Sequence, residues 1–268
     1  MKAGLFLATF LLTSTMVSYP GPPVARFQSV LGNFDVLLDP VAAPRSVENF
    51  SVYANRSAYD RSIIHRSTTY NPADIQIVQG GGFQLVANSL LPIPTDPPIP
   101  LEAGKANSRG TLAMARSTAL DSATSQWFFN VTDNPALDFS YAVFGRVMGS
   151  GQNVIEAIGA TTVYNASPPL GGAFTELPLL APDLTEQNLV LINAIRVEPF
   201  AITNITHNGS ETELRWTSLS ANTPVRVERT TDIAGKNWTV IATNWTGGTF
   251  IDTNSPTGAA YYRLVTEP

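Results

Sequence analysis

The sequence predicts a mainly β protein in two parts: a larger N-terminal unit carrying two helices, then a small β-sandwich. Three observations carry this expectation. Up to Val197 the apolar residues fall mostly in short runs cut off by Gly, Asn and Pro, which is the punctuation of strands and turns. Only two stretches have helical spacing, Val47/Phe50/Tyr53 and Gln152 to Ile158. Beyond Glu198-Pro199 the pattern changes to brief alternating pairs, Leu214/Trp216, Val225/Val227, Trp238/Val240 and Tyr262/Leu264, separated by turns rich in Asn, Gly, Thr and Pro.

The elements follow in order. Residues 24–38 read as a β-hairpin turning at Leu31-Gly32-Asn33. Asp39-Pro40 stops its second strand, and Ala43-Pro44 leads into the first helix. Ser62 to His65 and Ile75 to Val78 are the next strands, followed by Gly80-Gly81-Gly82. That glycine run lacks the Lys-Ser/Thr and the helix start of a phosphate cradle, so it reads as a turn with close backbone packing. Residues 88–109, rich in Pro, read as loop. Gly110 to Arg116, Gln126 to Thr132 and Tyr141 to Val147 are further strands. The short second helix is expected to close at Gly159, and Leu189 to Val197 is the last strand before the boundary.

Composition removes several function classes. The chain has 268 residues, 44% hydrophobic and 14% charged, with a formal net charge of −5. No basic run offers the electrostatic footprint that nucleic acid requires. There is no cysteine, so thiolate chemistry and Cys-based metal sites are excluded, and the two histidines, His65 and His207, are far apart. No metal or cofactor is therefore expected. Residues 1–22 read as a signal peptide: Lys2 precedes a mostly apolar stretch from Gly4 to Met16, too short to span a bilayer of roughly 20 apolar residues. The expected location is thus the periplasm or the exterior, with no integral membrane segment after the signal is removed. Eight Asn-x-Ser/Thr triplets occur, Asn49 and Asn130 among them; in an Asn/Thr-rich chain such triplets arise readily by chance.

Seven segments, in order, resemble the cyclophilin family: LGNFDVLLDPVAAPRSVENF (31–50), IIHR (63–66), IVQGGGF (77–83), GTLAMAR (110–116), SQWFFN (125–130), LDFSYAVFGRV (137–147) and GQNVIEAI (151–158). The resemblance implies a closed eight-stranded antiparallel barrel with two helices over residues 24–198, and peptidyl-prolyl cis-trans isomerase activity on proline-containing peptide segments. Rotation about an X-Pro bond is opposed by partial double-bond character, a barrier of roughly 18–20 kcal/mol. No bond is made or broken, so the site needs an apolar pocket and a hydrogen-bond donor rather than a nucleophile or metal.

By resemblance the donor is Arg66, with Gln79 bonding the peptide or holding Arg66, and Phe128 flooring the proline pocket. Ile77, Met114 and Leu137 would line it, Ala115 and Gln126 would contact residues preceding proline, and Tyr141 would close the rim. Read alone, Arg66 is more readily a surface arginine paired to a carboxylate; it is the surrounding IIHR and VQGG motifs that favour the site. His65 reads as a structural residue beneath the sheet. The sequence departs from the family pattern in four places. The Arg66–Gln79 spacing is longer by about five residues; Gln76 replaces a pocket phenylalanine, with Tyr70 a candidate cover; Ala136 replaces a frequent tryptophan; and Arg116 replaces an asparagine, which suggests a preference for acidic neighbours of proline. These departures keep open a non-catalytic peptide-binding or chaperone module, and a surface adhesin in which the barrel is scaffold. Residues 200–268 resemble fibronectin-type-III-like end modules, with a spacer or attachment role; Trp238, Trp245 and Tyr261 are either a sugar-binding platform at the cell surface or part of a small core.

Overall fold

The computed structural model describes residues 22–69, 75–217, 224–232, 234, 237–256 and 258–266, with the backbone of two short strands, Ala8–Phe10 and Val17–Ser18. Tyr70 lies outside the described residues. The chain divides into two compact units: Ala25–Val197, and Met1–Val24 together with Glu198–Pro268.

In the larger unit one sheet runs in the order Arg66–Ser67, Ile77–Gly80, Trp127–Asn130, Thr111–Met114, Val143–Val147, Gly32–Leu38, Pro23–Ser29, Leu191–Pro199, Ser62–Ile63, Phe83–Val86, Ser89–Pro92. Two members belong to one stretch of chain. The amide of Ile64 donates to Val190 O (2.9 Å) on one side, and that of His65 donates to Gln79 O (3.0 Å) on the other. Ser62–Ser67 thus closes the sheet on itself, and the expected eight-stranded antiparallel barrel is present.

Alternation along each strand sends one set of side chains inward. The interior is aromatic: Phe27 stacks on Phe34 at 4.8 Å between centroids, and meets Trp127 (5.3 Å) and Phe129 (5.2 Å) edge to face. Trp127 accounts for the glycine run. A Cβ on Gly80 would lie 2.6 Å from its indole, and one on Gly81, whose φ is +75°, would lie 2.7 Å from Nε1.

The first helix, Pro44–Asn55, has proline in its first turn and buries Val47, Phe50, Tyr53 and Ala54 against the barrel end. No residue of its own caps it. Glu102 does so from the far loop: its carboxylate accepts from the Arg45 amide (3.0 Å), the Ser46 amide (2.8 Å) and Ser46 Oγ (2.8 Å). The second helix runs Gly151–Gly159, so Gly159 is its last residue rather than the cap beyond it. A side chain there would press on Thr69 Cγ2 at 3.0 Å.

One expectation fails in the connections. The 88–109 segment is not all loop: Ser89–Pro92 pairs with Phe83–Val86 across the two-residue turn Ala87-Asn88, both at positive φ (46° and 63°). The Pro/Gly-rich stretch after the second helix folds as well. Val163–Tyr164 pairs with Leu177–Pro178 around a short helix, Ser167–Leu170. Phe174, Leu177, Leu179 and Leu189 pack there with Ile63 and Leu85 as a second apolar cluster.

The smaller unit has two sheets, one of Ile202–Asn208, Glu211–Trp216 and Thr249–Asp252, the other of Thr239–Trp245, Val225–Thr230, Ala260–Thr266, Ala8–Phe10 and Val17–Ser18. Leu214, Trp216, Val225, Val227, Phe250, Tyr262 and Leu264 are buried. Trp238 is half-buried under the Arg263 guanidinium (4.3 Å to the ring), while Trp245 is exposed and packs on Phe250. The strand Ala8–Phe10 comes from the stretch expected to be a signal peptide.

Replacing Glu102 by Ala leaves two helix amides and a buried hydroxyl without their acceptor. We expect a loss of about 1–2 kcal/mol, read as a lower urea midpoint with unchanged slope.

Candidate active site on the outer face of the barrel

The candidate residues come from four strands in register. Arg66 lies opposite Gln79, Gln79 opposite Phe128, and Phe128 opposite Ala113. Directly opposed residues share a face, so a single row crosses the outside of the barrel: cation, amide, aromatic ring, methyl. The neighbouring parity points inward, with Val78, Trp127, Phe129 and Leu112 in the core.

Around Phe128 an outer apolar cluster gathers Ile77, Ala113, Ala115, Leu137 and Val143, with Ile75 and Tyr141 packed against it. The Tyr141 ring meets Phe128 edge-on at 5.4 Å, and the Arg116 guanidinium lies over Tyr141 at 4.8 Å. Phe128 keeps only 2% of its surface, so a ligand meets the rim of Leu137, Tyr141 and Ile77 before it meets the ring. Met114, expected in this lining, is a correction. It is paired with Trp127 and packs inside the barrel, because two residues from Leu112 is the inward parity.

Ile75 is a wall residue that sequence reasoning missed. Gln76 has the other parity, and its backbone is held at both ends by Asn134: the Gln76 amide donates to Asn134 Oδ1 (2.9 Å), and Asn134 Nδ2 donates to Gln76 O (3.0 Å). Behind this sits a buried polar group. Asn130 Nδ2 donates to Asn107 Oδ1 (3.1 Å) and Thr111 Oγ1 (2.8 Å), and Asn107 Nδ2 donates to the Leu137 carbonyl (3.0 Å). It holds the 3-10 turn Pro135–Leu137 that presents Leu137 to the cluster. Asn130 is 0% exposed, and Asn49 is buried with Nδ2 donating to Thr124 O, so neither triplet offers an acceptor in the folded chain.

The polar side of the row departs from expectation. Gln79 Nε2 donates to Gln126 Oε1 (2.8 Å), and Gln79 is not the group that holds Arg66. That group is Glu176: Arg66 Nε donates to its Oε2 at 2.6 Å, while the Arg66 side chain stays 44% exposed. An open depression of about 510 Å³ lies on the Glu176 side, lined also by Thr69, Thr161, Tyr164 and Thr175. His65 is buried and packs edge-on against Phe83. Burial pushes its imidazole down to about 4, the Arg66 charge adds to this, and hydrogen bonding with Gln126 opposes it. It is neutral at physiological pH.

Residues 24–173 match the family model for cyclophilin type peptidyl-prolyl cis-trans isomerases/CLD. The chain belongs to the cyclophilin family. It is 42% identical to peptidyl-prolyl cis-trans isomerase A of Dickeya dadantii over 144 residues, 51% of this chain and 71% of that protein. It is 39% identical to a peptidyl-prolyl cis-trans isomerase of Acinetobacter baylyi over 162 residues, 58% of this chain and 77% of the relative. Isomerase B of Escherichia coli is 40% identical over 126 residues, 43% of this chain and 71% of that one. This cyclophilin carries Glu176 beyond the residues that the family model matches.

The buried imidazole makes stability depend on pH. Unfolded, His65 takes a proton below its ordinary value of 6.5; folded, it does so only near 4. The unfolded state therefore binds more protons between these values, and stability falls as pH drops through that window. The contribution of His65 at pH 4 is a loss on the order of 3 kcal/mol. Urea unfolding of the wild type and His65→Gln at pH 7 and pH 4 checks it: the gap between the two proteins should shift by that amount in favour of the variant at pH 4.

Proposed function

We propose that this cyclophilin isomerises X-Pro bonds in extended peptide segments laid across the outer row, with Arg66 donating to the amide nitrogen as it twists. One observation carries the reading: the cross-strand register that sets Arg66, Gln79 and Phe128 side by side on one face. Twisting the amide breaks its conjugation, and the nitrogen regains a lone pair that accepts a hydrogen bond only in that state. A fixed donor there favours the transition state over either planar form. A guanidinium suits this because it is always charged and presents several donors. The apolar cluster of Ile77, Ala113, Leu137 and Phe128 supports the proline ring, and Gln79 and Gln126 offer amide groups to the peptide backbone.

The clients we assign are exported proteins, in which uncatalysed prolyl isomerisation takes tens to hundreds of seconds. The apolar N-terminal stretch supports export to the periplasm or beyond; removal of residues 1–22 takes the strand Ala8–Phe10 out of the small unit's second sheet. Among the described residues no helix is long and apolar enough to cross a membrane. For the C-terminal unit we favour a spacer or attachment role. Trp245 is the more exposed aromatic available to a glycan, since Trp238 is covered by Arg263.

Turnover of an Ala-Pro peptide, followed by NMR exchange, tests the assignment. Arg66→Ala should lower it by on the order of 10²-fold, by analogy with removal of one preorganised donor, with the unfolding midpoint nearly unchanged. Peptide binding without turnover in the wild type would establish the non-catalytic reading instead.

A further inference from the structure

Arg66 has to present its donors in a fixed direction, yet its side chain is 44% exposed and carries several rotatable bonds. Its Nε is bonded to Glu176, and its two Nη amines make no hydrogen bond to another described residue. The bond to Nε restrains the guanidinium and leaves the Nη edge for a ligand. Glu176 is itself held firmly. Its carbonyl accepts from the Ser67 amide (2.9 Å), which ties it to the strand that carries Arg66. The next residue, Leu177, is fully buried and pairs with Tyr164, and Phe174, two positions before, packs on Phe83 at 4.5 Å between centroids.

We propose that Glu176 is a positioning residue for the isomerisation: it orients the Arg66 guanidinium so that the donors facing the peptide need no rearrangement as the amide twists. This rests on Arg66 being the donor. The Glu176 carboxylate reduces the local positive charge, and the gain in preorganisation outweighs that loss, since a donor counts in the transition state according to how little it must move. A part-exposed ion pair adds little to stability, and the Ser67–Glu176 backbone bond survives any substitution at 176. Variants here therefore fold.

The test is a double-mutant cycle on full-length protein, with an Ala-Pro peptide and NMR exchange that separates binding from interconversion in the bound state. Glu176→Ala should slow bound-state interconversion on the order of tenfold and change peptide affinity less than twofold. Glu176→Gln, whose amide oxygen still accepts from Nε, should recover most of the rate. In an Arg66→Ala background, Glu176→Ala should have no further effect. An unchanged or faster rate in Glu176→Ala overturns the proposal, because charge reduction would then outweigh orientation. An equal loss in the Arg66→Ala background overturns it too, since Glu176 would act other than through Arg66. If Arg66→Ala alone leaves turnover intact, the donor assignment itself fails, a result distinct from either of these.

Discussion

The indole of Trp127 against the backbone of Gly80 and Gly81 is the contact on which the site depends. The ring fills space that any Cβ at either glycine would enter. It can sit there only when Trp127 is opposite Gly80, and that pairing sets Phe128 opposite Gln79 and Asn130 opposite Ile77. A slip of one residue would turn Phe128 inward and Trp127 out, since side chains alternate with a period of two. The close-packed interior has no room for such an exchange: Phe27, Phe34 and Phe129 already meet the indole or one another within about 6 Å. Core packing thus selects the register, and the register builds the outer row.

What the barrel supplies matches the reaction it supports. Rotation about an amide needs no attacking group, and the one histidine near the row is held neutral by burial. The demands are rigidity and direction. Rigidity comes from short strands whose outer residues rest on an aromatic core. Direction comes from polar pairs that restrain each functional side chain: Gln79 with Gln126, Arg66 with Glu176, Arg116 with the carbonyls of Ser140 and Ser117. Arg116, expected to draw acidic peptides, bonds to loop carbonyls and stacks on Tyr141, so it acts first as a brace for the rim.

Legibility in the sequence followed the range of the interaction. Arg66, Gln79 and Phe128 stood in contiguous motifs, and the alternation around them is local, so their shared face could be anticipated. The same parity rule also places Met114 inside, paired with Trp127, and there the motif was read without it. The Phe83–Pro92 hairpin was hidden because its turn is Ala87-Asn88, without the glycine that advertises positive φ. Glu176 was out of reach for a different reason. It meets Arg66 across 110 residues, from a Pro/Gly-rich stretch that has no periodicity and folds only by packing Phe174 and Leu177 on a distant strand. The buried asparagines were masked by chemistry: Asn130 reads as a surface acceptor triplet, whereas its role is to satisfy Asn107 and Thr111 beneath the pocket rim.

That rim also bears on how the proposed site would hold proline. Two aromatic positions of the family pattern are occupied by Gln76 and Ala136, and a missing aromatic wall costs about 1–3 kcal/mol of apolar burial. The chain rebuilds part of that wall with other groups. Ile75 packs on the outer cluster from the parity beside Gln76, Leu137 is set in place by a carbonyl bond to Asn107, and Tyr141 is pinned between Phe128 and Arg116. An aliphatic wall offers burial but no ring-on-ring geometry, so it constrains where a proline ring sits less than how deeply it sits. At the other end of the row a carboxylate holds Nε of the Arg66 guanidinium, the group we assign as the donor to the twisted amide.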